Sequence, residues 1–134
     1  MTQFAETYLG RLRALVGSQL ILMPGAQVVL LDAGSHVLMQ RRADSGQWEF
    51  PSGSAERGQS FADIAITELA EEAGVTPAQL EGLPFLQLGA YGRPDRDPRE
   101  RVITVVFLTL VPMDRLKLVA STDAARAEWF SFDA

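Results

Sequence analysis

The chain contains no cysteine. Disulfide bridges, thiolate nucleophiles and zinc–thiolate centres are therefore excluded, and the composition agrees with a cytoplasmic address. Its single histidine, His36, sits beside a turn with no evident partner and is assigned no role. No apolar run approaches the length that crosses a bilayer. The start, Met1 to Arg13, is polar, carries Glu6 early and lacks the apolar stretch of a secretory leader, so none is expected. An excess of basic charge is also missing. The net charge is −5, so general binding to nucleic acid or to membrane surfaces is not expected. Internal repeats and low-complexity tracts are absent. Finally, no Lys or Arg occurs between Arg57 and Arg93, although that stretch holds Glu68, Glu71 and Glu72.

What is present suits one domain over residues 1–134. The chain is 47% hydrophobic, enough for one sizeable core. Apolar residues Phe4, Tyr8, Leu9, Leu12, Leu15 and Val16 have helical spacing, with Gly17 as a stop. Strands are predicted at Gln19–Met23 and Gln27–Leu31, separated by Pro24-Gly25, and at His36–Gln40 after the turn Asp32-Ala-Gly-Ser35. Residues 43–60 are rich in turn formers. Ser60 with Asp63 forms a capping-box pattern, so a helix starts there and ends at Gly74, with Phe61, Ile64, Ala65, Leu69 and Ala73 facing inward. Further strands are expected at Pro84–Tyr91, Arg101–Val111 and Ala127–Ser131. Strands interleaved with helices imply an α/β sandwich.

The 60–74 helix is electrostatically awkward. Spacings of three and four place Glu68 and Glu72 on one face, with Glu71 beside them. The negative end of the helix dipole is the wrong place for carboxylates. Two such charges about 6 Å apart repel by roughly 3 kcal/mol at an effective dielectric near 20. Acidic helix faces are usually just solvated and screened. A divalent cation held by oxygens is the alternative, and what lies upstream favours it.

Gly53 through Val75 resembles the Nudix box, G-x(5)-E-x(7)-R-E-U-x-E-E-x-G-U, where U is a bulky aliphatic. Gly53, Glu68, Leu69, Glu71, Glu72, Gly74 and Val75 match in register. The lead-in Trp48-Glu-Phe-Pro-Ser-Gly53 is similar to the W-x-x-P-G-G run that precedes the box. Two positions depart: Gln59 stands for the family Glu and Thr67 for the family Arg. These changes remove one charge of each sign, so a hydrogen bond between Gln59 and Thr67 is expected to replace an ion pair. Glu56 is a third acid in this loop and is expected to offset Gln59 in part.

The resemblance implies a Nudix-type α/β/α sandwich with a mixed central sheet. It implies a Mg²⁺-dependent hydrolase, with Mn²⁺ as a substitute, that cleaves a pyrophosphate linkage in a small-molecule nucleotide. Glu68, Glu71, Glu72 and the Gly53 carbonyl are then the metal ligands. Glu68, Glu71 or the downstream Asp123 accepts the proton of the attacking water. Family members often complete their sites by pairing, so the amphipathic N-terminal segment is a candidate homodimer surface.

Three other stretches bear on substrate. Tyr91 to Arg99 resembles the R-D-P-R loop of ADP-ribose pyrophosphatase-type members, which makes Arg96 and Arg99 candidate phosphate contacts. Ser121 to Phe130 resembles a D-A-A-x-A-x-W-F run of that subgroup and carries Asp123. Arg41 and Arg42 lie where the family places basic substrate contacts. Trp48 and Trp129 are read as packing residues rather than base-stacking platforms. The substrate reading is ADP-ribose or a similar sugar nucleotide. A Nudix-like module that binds such a ligand without cleaving it is the alternative, motivated by Gln59 and Thr67.

Overall fold

The computed structural model describes residues 3–95, 101–112, 116, 118 and 124–132. It has a mixed α/β fold, as expected. The strands are β1 (Leu22–Leu31), β2 (His36–Arg42), β3 (Trp48–Glu49), β4 (Ser52–Ser54), β5 (Leu86–Tyr91), β6 (Arg101–Leu110) and β7 (Ala124–Ser131). The helices are α1 (Tyr8–Val16), α2 (Phe61–Ala73) and the short α3 (Pro77–Leu80), with a 3₁₀ turn at Phe4–Glu6.

β1 and β6 form the parallel centre of a seven-stranded sheet, in register from Leu22–Arg101 to Leu31–Leu110. Their runs of β-branched and aliphatic residues suit strands with covered faces. β5 lies antiparallel on the far side of β6. On the other edge, β2 joins β1 at the Leu31–Val37 pair and then parts from it. β4 takes its place along Gly25–Gln27, while β2 pairs with β7 and β3. This fork brings β4 under α2.

α2 forms where expected. The Ser60 hydroxyl accepts from the Asp63 amide, Asp63 returns the bond to the Ser60 amide, and Gly74 closes the helix in the left-handed conformation. Ile64, Ala65, Leu69 and Ala73 are buried with Ala26, Val28, Leu30, Leu38, Val105 and Phe107. Each fully buried branched side chain stabilises by roughly 1.5–3 kcal/mol, which pins the helix to the sheet. Phe61 departs from the expected stripe: it occupies the first helical position and is exposed.

Other differences have local causes. β1 runs unbroken through Pro24-Gly25, because the Pro24 backbone faces β4 at the end of that short pairing, where its carbonyl accepts from Ala55. Its missing N–H therefore costs little, whereas the ladder to β6 is on the opposite edge. The expected helix over Phe4–Val16 is interrupted at Thr7, which is extended. Its hydroxyl caps Gly10 N and donates to the Phe4 carbonyl, starting α1 anew. The 3₁₀ turn folds onto Gly10, where any Cβ would collide with the Phe4 carbonyl. Two short strands, β3 and β4, lie in the segment read as turns. Residues so rich in Gly, Ser and Pro pair only because β1 and β2 offer open edges.

Candidate functional site

The fork between β2 and β4 sets the site. Residues 48–53 run from β3 to β4 beneath α2 and present their backbone to two of its glutamates. Gly53 meets Glu68 so closely that a Cβ built on it would fall within the Glu68 carboxylate. One residue earlier, the Ser52 amide donates to Glu72 Oε2 at 3.2 Å. Glycine at 53 is thus required by a side chain packed on it. Its own carbonyl oxygen lies on the β1 side, 2.5 Å from where a Cβ on Gly25 would be.

Glu72 is buried, at 8% exposure, which is unusual for a carboxylate with no basic residue nearby in its helix. Its pKa is pushed up to about 9. Burial is the largest cause, followed by the charge of Glu68 and a hydrogen bond shared with it; the Ser52 amide opposes, and Glu49 adds to the rise. Glu72 is therefore held in its protonated form at neutral pH, beside Glu68. Glu71 is exposed on the outer side of the helix.

A proton held on a carboxyl beside a second carboxylate is what a cation can displace, since ligation requires the deprotonated form. The hard oxygen donors of two adjacent carboxylates suit Mg²⁺ or Mn²⁺. Among the described residues, no three acidic or imidazole side chains converge tightly enough to enclose an ion by themselves. The donor set fits a cation that keeps waters or substrate oxygens in its remaining positions.

The two departures from the box meet each other. Gln59 Nε2 donates to Thr67 Oγ1 at 3.3 Å, on the turn of helix just before Glu68. Glu56 does not join them. Both its carboxylate oxygens accept from the Tyr8 amide, at 2.9 and 3.2 Å, at the start of α1. A negative charge there answers the positive end of that helix dipole, so the Glu56 carboxylate is engaged at α1 rather than by the Gln59 side chain.

The basic candidates are dispersed. Arg42 is bound on both sides, to Asp44 at 2.8 and 2.7 Å and to Glu49 at 3.2 Å. Its guanidinium is thus spent on carboxylates of its own hairpin rather than held open for substrate. Arg41 is exposed, with Nε donating to the Gly46 carbonyl at 3.1 Å. Arg96, Arg99 and Asp123 lie outside the described residues. Trp48 packs edge-on against Phe130, centroids 4.8 Å apart, with Arg126 over its ring at 5.9 Å; Trp129 packs against the core. Arg126 in turn pairs with Glu128.

Three contacts were not anticipated from sequence. His36 has a partner after all: its Nδ1 lies 3.1 Å from both oxygens of Asp32, which also accepts from the His36 and Gly34 amides and so ties the turn. The Ser52 amide reaches Glu72. Glu49, whose charge reaches Glu72, is held by Arg42 and by the buried Gln40. A signal for Glu49 existed. The turn formers Asp44-Ser-Gly between Arg42 and Trp48 mark a hairpin, and its register sets Gln40 opposite Glu49.

Comparison with known proteins agrees with this geometry. The NUDIX domain model matches residues 22–134. An ADP-ribose pyrophosphatase of Methanocaldococcus jannaschii is 33% identical over 107 residues, covering 78% of this chain; the match spans 59% of that relative's length. The crystal structure of a MutT/nudix family protein from Enterococcus faecalis superposes with a TM-score of 0.71 at 28% identity, over 95% of this chain and 52% of that one. A bifunctional NMN adenylyltransferase/ADP ribose pyrophosphatase from Francisella tularensis, complexed with AMP and a Mn ion, shares the fold. Its TM-score is 0.77 at 24% identity, over 92% of this chain and 38% of that one. With the box in register on α2, its glycine seated on Glu68 and the sheet topology shared, the chain belongs to the Nudix family.

Proposed function

We propose that this chain hydrolyses the pyrophosphate linkage of a nucleoside diphosphate joined to another group, ADP-ribose or a similar sugar nucleotide, with Mg²⁺ as cofactor. The observation that carries this is the buried Glu72 on one helix face with Glu68, the pair seated against Gly53 and the Ser52 amide. The relative from Methanocaldococcus jannaschii, named ADP-ribose pyrophosphatase, supports the substrate class.

In this reading Glu72 would give up its proton and, with Glu68, would hold the cation, Glu71 assisting from the helix's outer side; the Gly53 carbonyl faces β1 and is not counted among the donors. Bound Mg²⁺ would neutralise the diphosphate and render water more acidic. Glu68, Glu71 or Asp123 accepts the proton as the water oxygen bonds to phosphorus and the bridging P–O bond breaks. A nucleoside monophosphate and a second phosphorylated product leave. Arg41, Arg96 and Arg99 are the proposed phosphate contacts. Most of the acceleration comes from placement and charge neutralisation, with no covalent intermediate.

The test is incubation with ADP-ribose and Mg²⁺, followed for AMP, with Glu72→Gln alongside. AMP formation that disappears in the variant supports the enzyme. One observation favours a second reading, a ligand-binding module: the uncharged Gln59–Thr67 contact beneath Glu68. Saturable ADP-ribose binding with no product from either protein would establish that reading instead.

A further inference from the structure

Gln40 is 2% exposed, on the strand beside the site. Its Nε2 donates to Glu49 Oε1 at 3.3 Å, and its buried Oε1 has no hydrogen-bond partner. A buried acceptor without a partner is a net cost to folding, so the amide is placed there at a loss. Arg42 Nη1 donates to the same Glu49 oxygen at 3.2 Å. Two donors from β2 thus converge on one oxygen of Glu49 and fix its carboxylate. Three residues on, Ser52 binds Glu72, so the same short segment carries Glu49 and grips the acidic pair. Bracing a carboxylate this firmly beside two others raises repulsion in the metal-free protein. A cation nearby turns that cost into affinity.

We propose that Glu49 is a positioning residue for the divalent cation, its carboxylate aligned by Gln40 and Arg42 to act from outside the Glu68–Glu72 pair. This rests on the metal-dependent reading above. Glu49 adds negative charge and an acceptor oxygen toward the cation's hydration shell. Gln40 and Arg42 both hold Oε1 of Glu49, which leaves Oε2 to act toward the ion from outside the Glu68–Glu72 pair. The field of Glu49 at Glu72 agrees with this placement.

The experiment is a titration with Mn²⁺ alone, free ion followed by electron paramagnetic resonance. Melting temperatures are recorded in chelator for the same proteins: the unaltered chain, Glu49→Gln, Gln40→Met and Glu72→Gln. The expected result is about tenfold weaker Mn²⁺ binding in Glu49→Gln. Its metal-free melting temperature should be equal or higher, because a repulsive charge has gone. Gln40→Met keeps Glu49 but frees it, so it weakens binding in the same direction and carries the test if Glu49→Gln does not fold. If both variants bind Mn²⁺ like the unaltered protein while Glu72→Gln does not, the role of Glu49 is refuted and the metal reading stands. If both lose affinity only together with a lower metal-free melting temperature, Glu49 is a brace of the hairpin and the proposal fails. If the unaltered protein and Glu72→Gln bind alike, the metal reading itself falls, and this inference with it.

Discussion

Gly53 is packed against the carboxylate of Glu68 with no room for a side chain between them. Even the smallest addition there must displace the Glu68 carboxylate. Gly53→Ala is expected to lower diphosphate hydrolysis by about 100-fold, the upper range for disturbing a metal ligand's surroundings. The fold should survive, since Gly53 lies on a three-residue strand at the margin of the core. Turnover and the denaturation midpoint, measured together, check this; normal turnover would show that Glu68 need not stay where it is.

Gln59 and Thr67 form one contact and should respond as a unit. Restoring Glu at 59 and Arg at 67 together is expected to raise activity by about tenfold. Each single change should do worse than the double, because each leaves a charge unanswered. A double-mutant cycle on kcat/KM measures the coupling, and additive effects would mean that the two side chains do not cooperate.

Glu56 acts on α1. Glu56→Gln keeps a weaker acceptor for the Tyr8 amide but loses the charge at the helix start. A loss of about 0.5–1 kcal/mol in stability is expected, diminishing at high salt. Urea unfolding at two ionic strengths tests it, and faster hydrogen exchange at the Tyr8 amide would place the effect at α1.

The raised pKa of Glu72 links stability to pH. Folding lifts this carboxyl from 4.5 to about 9, so the folded state binds a proton that the unfolded state has released over that interval. The contribution is fully present below pH 4.5 and is lost as pH rises through about 9. Metal-free protein should therefore become less stable between these limits, and Glu72→Gln should flatten the slope. Mg²⁺ should stabilise more strongly at the alkaline end, where it no longer competes with a proton. Urea midpoints across pH with chelator or Mg²⁺ are the measurement.

The acidic helix was legible from sequence because its signals are local. Ser60, Asp63 and Gly74 set its ends, and the spacing of Ile64, Ala65, Leu69 and Ala73 set its buried face. The same periodicity placed Glu68 and Glu72 together. It did not reveal that Glu72 is buried, since burial depends on β4 lying beneath the helix. Phe4–Val16 misled because apolar spacing carries no record of Thr7 competing for backbone hydrogen bonds.

By itself, then, the order of residues determined the α/β class, the helix that carries the glutamates and the family to which the chain belongs. These rest on contacts within a few positions or on a fixed register along one segment. Only the tertiary structure decided which carboxylate is buried, that Arg42 is consumed by Asp44 and Glu49, that Glu56 serves α1, and that Glu49 stands within electrostatic reach of Glu72. Such facts depend on strands meeting across the β2–β4 fork, and long-range pairing fixes distances that no local pattern encodes.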